Sequence, residues 1–137
     1  MTFDKNKTIR YWTESAAYDL ETGKSLLEAG KFPYALFFAH LSIEKLLKAV
    51  VVKRTGEHAP YTHSVILLDN KAQINLSERR FEQLAEFMEF HTEARYPDEK
   101  RNFYNTCTEE FAHQKFAEAK EIHSWLMQEL RTSSESS

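Results

Sequence analysis

The sequence contains few of the residues that build tight turns and crosslinks. Its 137 residues include three glycines, three prolines and one cysteine. So few glycines and prolines disfavour an all-β fold, which needs many tight turns. The single Cys107 excludes an internal disulfide framework and fits a reducing compartment. A chain of this length can nevertheless bury a core without metal or disulfide support, so we expect one helical domain.

Long apolar runs are also absent. No segment reaches the roughly 18 uncharged apolar residues of a membrane-spanning helix, and the N-terminal segment MTFDKNKTIRYW lacks the apolar stretch of a signal peptide. The net charge is -3 and the basic residues are spread along the chain. This distribution does not indicate a broad nucleic-acid-binding surface, although it allows a local basic patch. We therefore expect a cytoplasmic protein without membrane association.

The longest apolar segment runs from Tyr34 to Gly56 and reads YALFFAHLSIEKLLKAVVVKRTG. It is long enough for about six helical turns. Apolar side chains point in nearly every direction around it, which predicts a central helix surrounded by other helices. The polar residues His40, Glu44 and Lys48 are spaced i, i+4, i+8 and share one stripe. Such a stripe faces a cleft, a subunit interface or a groove between neighbouring helices, and the sequence leaves these three open.

A first helix is predicted before this central helix. Its apolar row, between residues 8 and 29, contains one carboxylate, Asp19, and Gly30 is placed to cap its C-terminus. Pro33 fits the first turn of the central helix, so the link is short and the two helices should pack antiparallel. Asp19 must then pair with a cation of the central helix or lie at a cleft, because burying a carboxylate alone is costly.

Three further helices are predicted after the central one. A short helix covers residues 63–69, with Thr62 as its N-cap. A longer helix begins after Ser77 and extends to about residue 94, with an inner row that starts at Phe81 and ends at His91. A polar loop that contains Pro97 follows. Thr106 then caps the last helix, whose inner row is Ala112, Phe116, Ala119, Ile122 and Leu126.

These elements predict an all-α fold, an up-and-down four-helix bundle with an additional short helix. One domain should cover residues 1–131. The segment TSSESS at residues 132–137 has nothing to bury, so we expect it to be a disordered tail.

Three segments taken together resemble a known family. They are the first helix with Trp12 and Asp19, the stretch GKFPYALFFAHLSIEKLLKAVVVKRTGEHAPYTHSVILL, and the later TEARYPD. As a set, from about residue 9 to residue 128, they are similar to the HEPN domain family. The resemblance implies a bundle of four main helices with a short extra helix, commonly a homodimer. It also implies a partner, because such domains are often encoded beside a minimal nucleotidyltransferase in a toxin–antitoxin-like pair.

Many HEPN proteins are metal-independent RNases in which four to six residues separate an Arg from a following His. No arginine of this sequence has a His at that spacing, and the nearest match, Arg54 with His58, is one residue too short. Such an enzyme needs an imidazole to take a proton from the ribose 2′-OH, and cations to hold the phosphate. We therefore predict no catalytic residue, cofactor or metal, and a binding or interaction module. The alternative is an RNase in which His63 supplies the imidazole.

The resemblance brings the central helix and the polar loop together, and this juxtaposition defines the candidate ligand-binding residues. They are Asp19, Glu44, Lys45, Lys48, His63, Arg95, Tyr96 and Arg101. Ammonium and guanidinium groups bind phosphate and carboxylate. We predict one polar cleft that accepts a nucleotide, RNA or an acidic segment of a partner, and the alternative is a solvated polar rim. Metal binding is disfavoured because no HExxH motif or Cys/His cluster is present.

Overall fold

The computed structural model describes residues 3–62, 64–88, 105 and 107–133. Within these residues the chain forms five helices and no strand. They are α1 (Lys5–Glu28), α2 (Phe32–Thr55), α3 (Val65–Ala72), α4 (Glu78–Met88) and α5 (Glu109–Ser133). The predicted all-α fold is confirmed. None of the described helices is both long and apolar enough to cross a membrane.

Helix α2 is the centre of the fold, as the sequence predicted. It contacts α1, α3 and α5. Its buried apolar residues include Leu46, Leu47, Ala49 and Val52, which point in different directions around the helix. The inner row predicted for the last helix is also buried: Ala112, Phe116, Ala119, Ile122 and Leu126 are each at most 3% exposed. Burial of these apolar side chains stabilises the bundle.

A short connection joins α1 to α2. Gly30 adopts a left-handed conformation with φ of 80°. Its N–H donates to the carbonyl of Leu27, and the N–H of Lys31 donates to the carbonyl of Leu26. These bonds satisfy carbonyls that the end of α1 leaves open, which confirms Gly30 as the capping glycine. Pro33 lies in the first turn of α2, so the chain reverses at once and the two helices pack antiparallel.

Helix α1 makes a close approach to α2 and α5 at Gly23. A Cβ atom at this position would lie 2.9 Å from Cε2 of Phe116, 3.1 Å from the carbonyl oxygen of Ala35 and 3.4 Å from Cβ of Phe38. The missing side chain therefore allows three helices to meet at this point.

Two predicted helix starts were wrong by two residues. The N-cap of α3 is Ser64, whose Oγ accepts from the N–H of Leu67 at 3.2 Å, whereas Thr62 Oγ accepts from the N–H of Ser64 at 3.0 Å. The short helix is consequently Val65–Ala72 rather than residues 63–69. Likewise the N-cap of α5 is Thr108, whose Oγ accepts from the N–H of Phe111 at 3.2 Å, whereas the predicted cap, Thr106, lies outside the described residues. In each case two hydroxyl residues lie two positions apart, and the second one caps the helix.

The inner row of α4 also differs from the prediction. Ser77 caps the helix as predicted, accepting from the N–H of Arg80 at 3.2 Å. The buried residues are Leu84 and Phe87, whereas Phe81 is 43% exposed. Phe81 lies about 120° around the helix from Phe87, so the two rings cannot face the same core. The predicted continuation to residue 94, which includes His91, lies outside the described residues.

The last helix continues into the segment that the sequence predicted as a tail. Helix α5 extends to Ser133, so residues 132 and 133 are helical and do not belong to a disordered tail. Residues 134–137 lie outside the described residues.

Candidate functional site

Charged side chains meet in the contact between α1 and α2. Asp19 of α1 is only 7% exposed. Its Oδ2 lies 2.6 Å from Nζ of Lys45 on α2, and Nζ of Lys45 also donates a hydrogen bond of 2.8 Å to Oγ of Ser15. The carboxylate in the apolar row of α1 is therefore paired with a cation of the central helix, one of the two environments that the sequence allowed.

The polar stripe of α2 forms a second group of contacts beside this pair. Nζ of Lys48 lies 3.4 Å from Oε2 of Glu44, and Oε1 of Glu44 lies 3.9 Å from Nε2 of His40. Nζ of Lys48 also lies 5.1 Å from the centre of the Trp12 ring, in a cation–π contact. All three stripe residues are less than a tenth exposed. The stripe is therefore part of the interior of the bundle.

The structure brings together four of the eight predicted site residues. Asp19, Glu44, Lys45 and Lys48 form one polar layer between α1 and α2. His63, Arg95, Tyr96 and Arg101 lie outside the described residues, so their participation stays a prediction.

Two residues of α1 that contact the polar layer, Ser15 and Trp12, were not predicted as site residues. They precede Asp19 by four and seven positions, so they lie on the same face of α1. That spacing was the signal in the sequence that could have identified them.

The polar layer is electrically balanced. Each ammonium group, at Lys45 and at Lys48, has a carboxylate within 3.4 Å. A phosphate that entered this layer would have to compete with Asp19 or Glu44 for its cation. The layer is therefore better suited to fixing α1 against α2 than to binding an anion directly.

A cavity of about 360 Å³ adjoins Trp12 and offers more room for a ligand. It is lined by Lys7, Thr8, Tyr11, Trp12 and His58. The rings of Tyr11 and Trp12 are in edge contact, with centres 5.1 Å apart. The volume falls within the range of small-molecule sites. Its aromatic walls and the Lys7 ammonium are suited to a planar group that carries negative charge.

Nucleophilic and metal chemistry find no support among the described residues. They contain no group of three or more His, Cys, Asp or Glu side chains placed to hold a metal ion. Cys107 is buried, and burial raises the pKa of its thiol to about 11. A thiol with this pKa is almost entirely protonated at neutral pH and is a poor nucleophile.

Arg54, the arginine closest to the RNase spacing, has a structural role. Its Nη1 donates to the carbonyls of Ala72 and Gln73 at 3.2 and 2.9 Å, and its Nη2 lies 3.0 Å from Oε2 of Glu129. It thus joins the end of α2 to the end of α3 and to α5.

The model of the HEPN domain family matches residues 9–130. The chain belongs to the HEPN domain family. This match confirms the resemblance found between residues 9 and 128. A comparison of this HEPN domain with curated proteins gave no match.

One solved structure that resembles this HEPN domain is the crystal structure of TT1696 from Thermus thermophilus. The TM-score is 0.72 at 21% sequence identity, and the alignment covers 88% of this chain and 96% of that chain. At this identity the similarity shows a shared fold.

Proposed function

We propose that this HEPN domain is a non-catalytic binding module that pairs with a minimal nucleotidyltransferase in a toxin–antitoxin-like system. The observation that carries the proposal is the lack of the RNase spacing between Arg and His in the sequence. Arg54, its nearest approximation, is occupied in joining α2, α3 and α5. Without an imidazole at the required spacing, the proton transfer of RNA cleavage has no assigned base.

Exposed tyrosines on α1 supply a surface for the partner. Tyr11 and Tyr18 are 61% and 75% exposed. They are seven positions apart and so lie on the same side of the helix. Tyrosine is enriched in protein interfaces because it combines a large apolar area with a hydrogen-bonding hydroxyl. We assign this tyrosine face, Tyr11 and Tyr18, to the nucleotidyltransferase partner.

Co-expression with a minimal nucleotidyltransferase from the same genome tests the pairing. We expect the two proteins to co-elute in size-exclusion chromatography, and Tyr18→Ala to weaken the complex. Tyr61→Ala is the matched control, because Tyr61 is 99% exposed in the connection before α3. Failure to co-elute at micromolar concentration, or equal weakening by both variants, would contradict the proposal.

We also propose that the chain forms a homodimer, since closed two-fold assemblies are the commonest oligomers and a small bundle leaves apolar surface to cover. Light scattering should then give twice the 16.1 kDa mass of the chain. A mass of one chain at micromolar concentration would show that the domain is monomeric.

A nucleotide is the second candidate ligand, and the cavity beside Trp12 favours it. The rings of Tyr11 and Trp12 in this cavity can stack on a nucleotide base while Lys7 contacts a phosphate. ATP should quench the fluorescence of Trp12 in a Trp125→Phe background and raise the melting temperature. Lys7→Gln should reduce both effects, whereas Lys5→Gln, exposed in the same first turn of α1 but outside the cavity, should not. Absence of quenching and of stabilisation would exclude this ligand.

The RNase alternative is tested directly with structured and single-stranded RNA in the absence of metal. We expect no cleavage. Robust cleavage that disappears in His63→Ala would establish the enzyme in place of the binding module.

A further inference from the structure

A second cavity lies between α1 and α5 and shares no residue with the polar layer, the Trp12 cavity or the tyrosine face. Its volume is about 290 Å³. Helix α1 contributes Leu20, Glu21 and Lys24, and α5 contributes Phe116, Lys120 and His123. The lining thus combines an apolar part, two ammonium groups, one carboxylate and one imidazole.

The two lysines of this cavity differ from the lysines that form ion pairs in the interior of the bundle or at its edge. Lys45 and Lys48 are neutralised by carboxylates of the polar layer, and Lys115 pairs with Glu86 and Glu118. Lys24 and Lys120 form no ion pair with another described residue. With Glu21 as the one carboxylate of the lining, the cavity carries a net positive charge that favours an anion.

His123 adds an unsatisfied polar atom at the same place. Its Nε2 is buried and has no hydrogen-bond partner among the described residues. Burial also lowers the pKa of His123, which keeps the imidazole neutral at neutral pH. Buried polar atoms normally have a partner, and an exception calls for an explanation such as a bound ligand.

We infer that the cavity binds a small organic anion, a carboxylate or a phosphate monoester attached to an apolar body about the size of one ring. Lys24 and Lys120 face the anionic end, Leu20 and Phe116 contact the apolar body, and His123 supplies a hydrogen-bonding group. The inference is independent of the proposed partner and of the nucleotide, because it uses other residues.

Titration of ¹⁵N-labelled protein with four probes tests the site. Phenyl phosphate and benzoate should shift the amide signals of residues around Leu20, Lys24 and His123. Benzyl alcohol, which has the ring without the charge, and inorganic phosphate, which has the charge without the ring, should each bind about tenfold more weakly. The stronger of the two charged aromatic probes identifies the preferred anionic group.

Variants of the two lysines complete the test. The double variant Lys24→Gln/Lys120→Gln should weaken binding of the better anion by about tenfold or more. Lys31→Gln and Lys71→Gln, which remove exposed lysines outside the cavity, should leave it unchanged. Both lysines of the cavity are exposed, so the spectra without ligand should show intact folding. Three results would overturn the inference. Benzyl alcohol could bind as tightly as benzoate, or the double variant could bind the better anion as tightly as the wild type does. The third is a set of amide shifts confined to the surroundings of Trp12.

Discussion

Asp19 on α1 and Lys45 on α2 form an ion pair, with Oδ2 and Nζ 2.6 Å apart, inside the antiparallel contact of the two helices. Lys45 also bonds to Ser15, one turn before Asp19 on the same face. A lysine held by two groups of the neighbouring helix fixes how far α1 can slide along α2. The pair therefore helps to hold the two helices in this register and contributes to the stability of the hairpin.

Replacing Asp19 by Asn should lower the free energy of unfolding by about 2 kcal/mol, because it leaves the Lys45 ammonium without its carboxylate. A fully buried pair would cost more, but the Lys45 side chain is 23% exposed. Urea unfolding measures the change. Glu129→Gln, which breaks the more exposed pair with Arg54, is the control and should cost less than about 1 kcal/mol.

A double-mutant cycle isolates the interaction. Adding Lys45→Met to Asp19→Asn removes the uncompensated charge and should restore part of the lost stability. If Asp19→Asn is no more destabilising than Glu129→Gln, or if the second substitution restores nothing, the pair does not have the role assigned to it.

The presence of a polar layer between α1 and α2 could be predicted from the sequence. The identity of the lysine that pairs with Asp19 could not. A carboxylate in an apolar row requires a cation nearby, and this requirement identified the central helix as its source. Lys45 and Lys48 are three positions apart on the same helix, so either could reach a carboxylate of α1. Which of the two lysines pairs with Asp19 depends on the register between α1 and α2. That register is set by close packing at Gly23, a contact between three helices that no local pattern encodes.

Local ambiguity explains the errors at the helix starts. Thr62 and Ser64, like Thr106 and Thr108, are pairs of hydroxyl residues in which either member has capping chemistry. In α4, both Phe81 and Phe87 fit an apolar periodicity, and packing selected Phe87 for the core. In these places the sequence pattern defines an element but leaves two positions equivalent, and tertiary contacts decide between them.

Gly23→Ala should destabilise the domain despite the better helix propensity of alanine. The gain in propensity is about 1 kcal/mol. The added Cβ would lie 2.9 Å from Phe116 and 3.1 Å from the carbonyl of Ala35, and overpacking of this kind costs about 1–3 kcal/mol. We expect a net loss of about 1 kcal/mol in urea unfolding, and a larger loss for Gly23→Val. Increased stability of Gly23→Ala would show that α1 and α5 can move apart freely.

Cys107 should be unreactive in the folded protein. With a pKa of about 11, about 0.1% of the thiol is ionised at pH 8. Its side chain is also buried. Ellman's reagent should therefore modify the native protein far more slowly than the protein unfolded in urea. Equal rates in the two states would contradict both the burial and the raised pKa.

The stability of the domain should fall as the pH decreases from about 7, and His123 should be one cause. Burial lowers the pKa of His123 from its ordinary value of about 6.5. The unfolded chain therefore binds a proton at a higher pH than the folded chain does. The contribution of His123 to stability is therefore complete above its pKa in the unfolded chain. It is progressively lost as the pH falls towards its pKa in the folded chain.

His123→Gln tests this linkage, because glutamine retains hydrogen-bonding capacity but does not titrate. One proton contributes a slope of at most about 1.4 kcal/mol per pH unit. Lys24 and Lys120, on either side of the same cavity, disfavour a positive charge on His123, as burial does. The Glu21 carboxylate favours that charge. Urea unfolding between pH 5.5 and 7.5, a range of about two units around the ordinary histidine pKa, should thus give a smaller slope for His123→Gln than for the wild type. His113→Gln, with a 53% exposed side chain on the same helix, is the control. A wild-type slope in His123→Gln would show that the buried imidazole is not what makes the fold sensitive to acid.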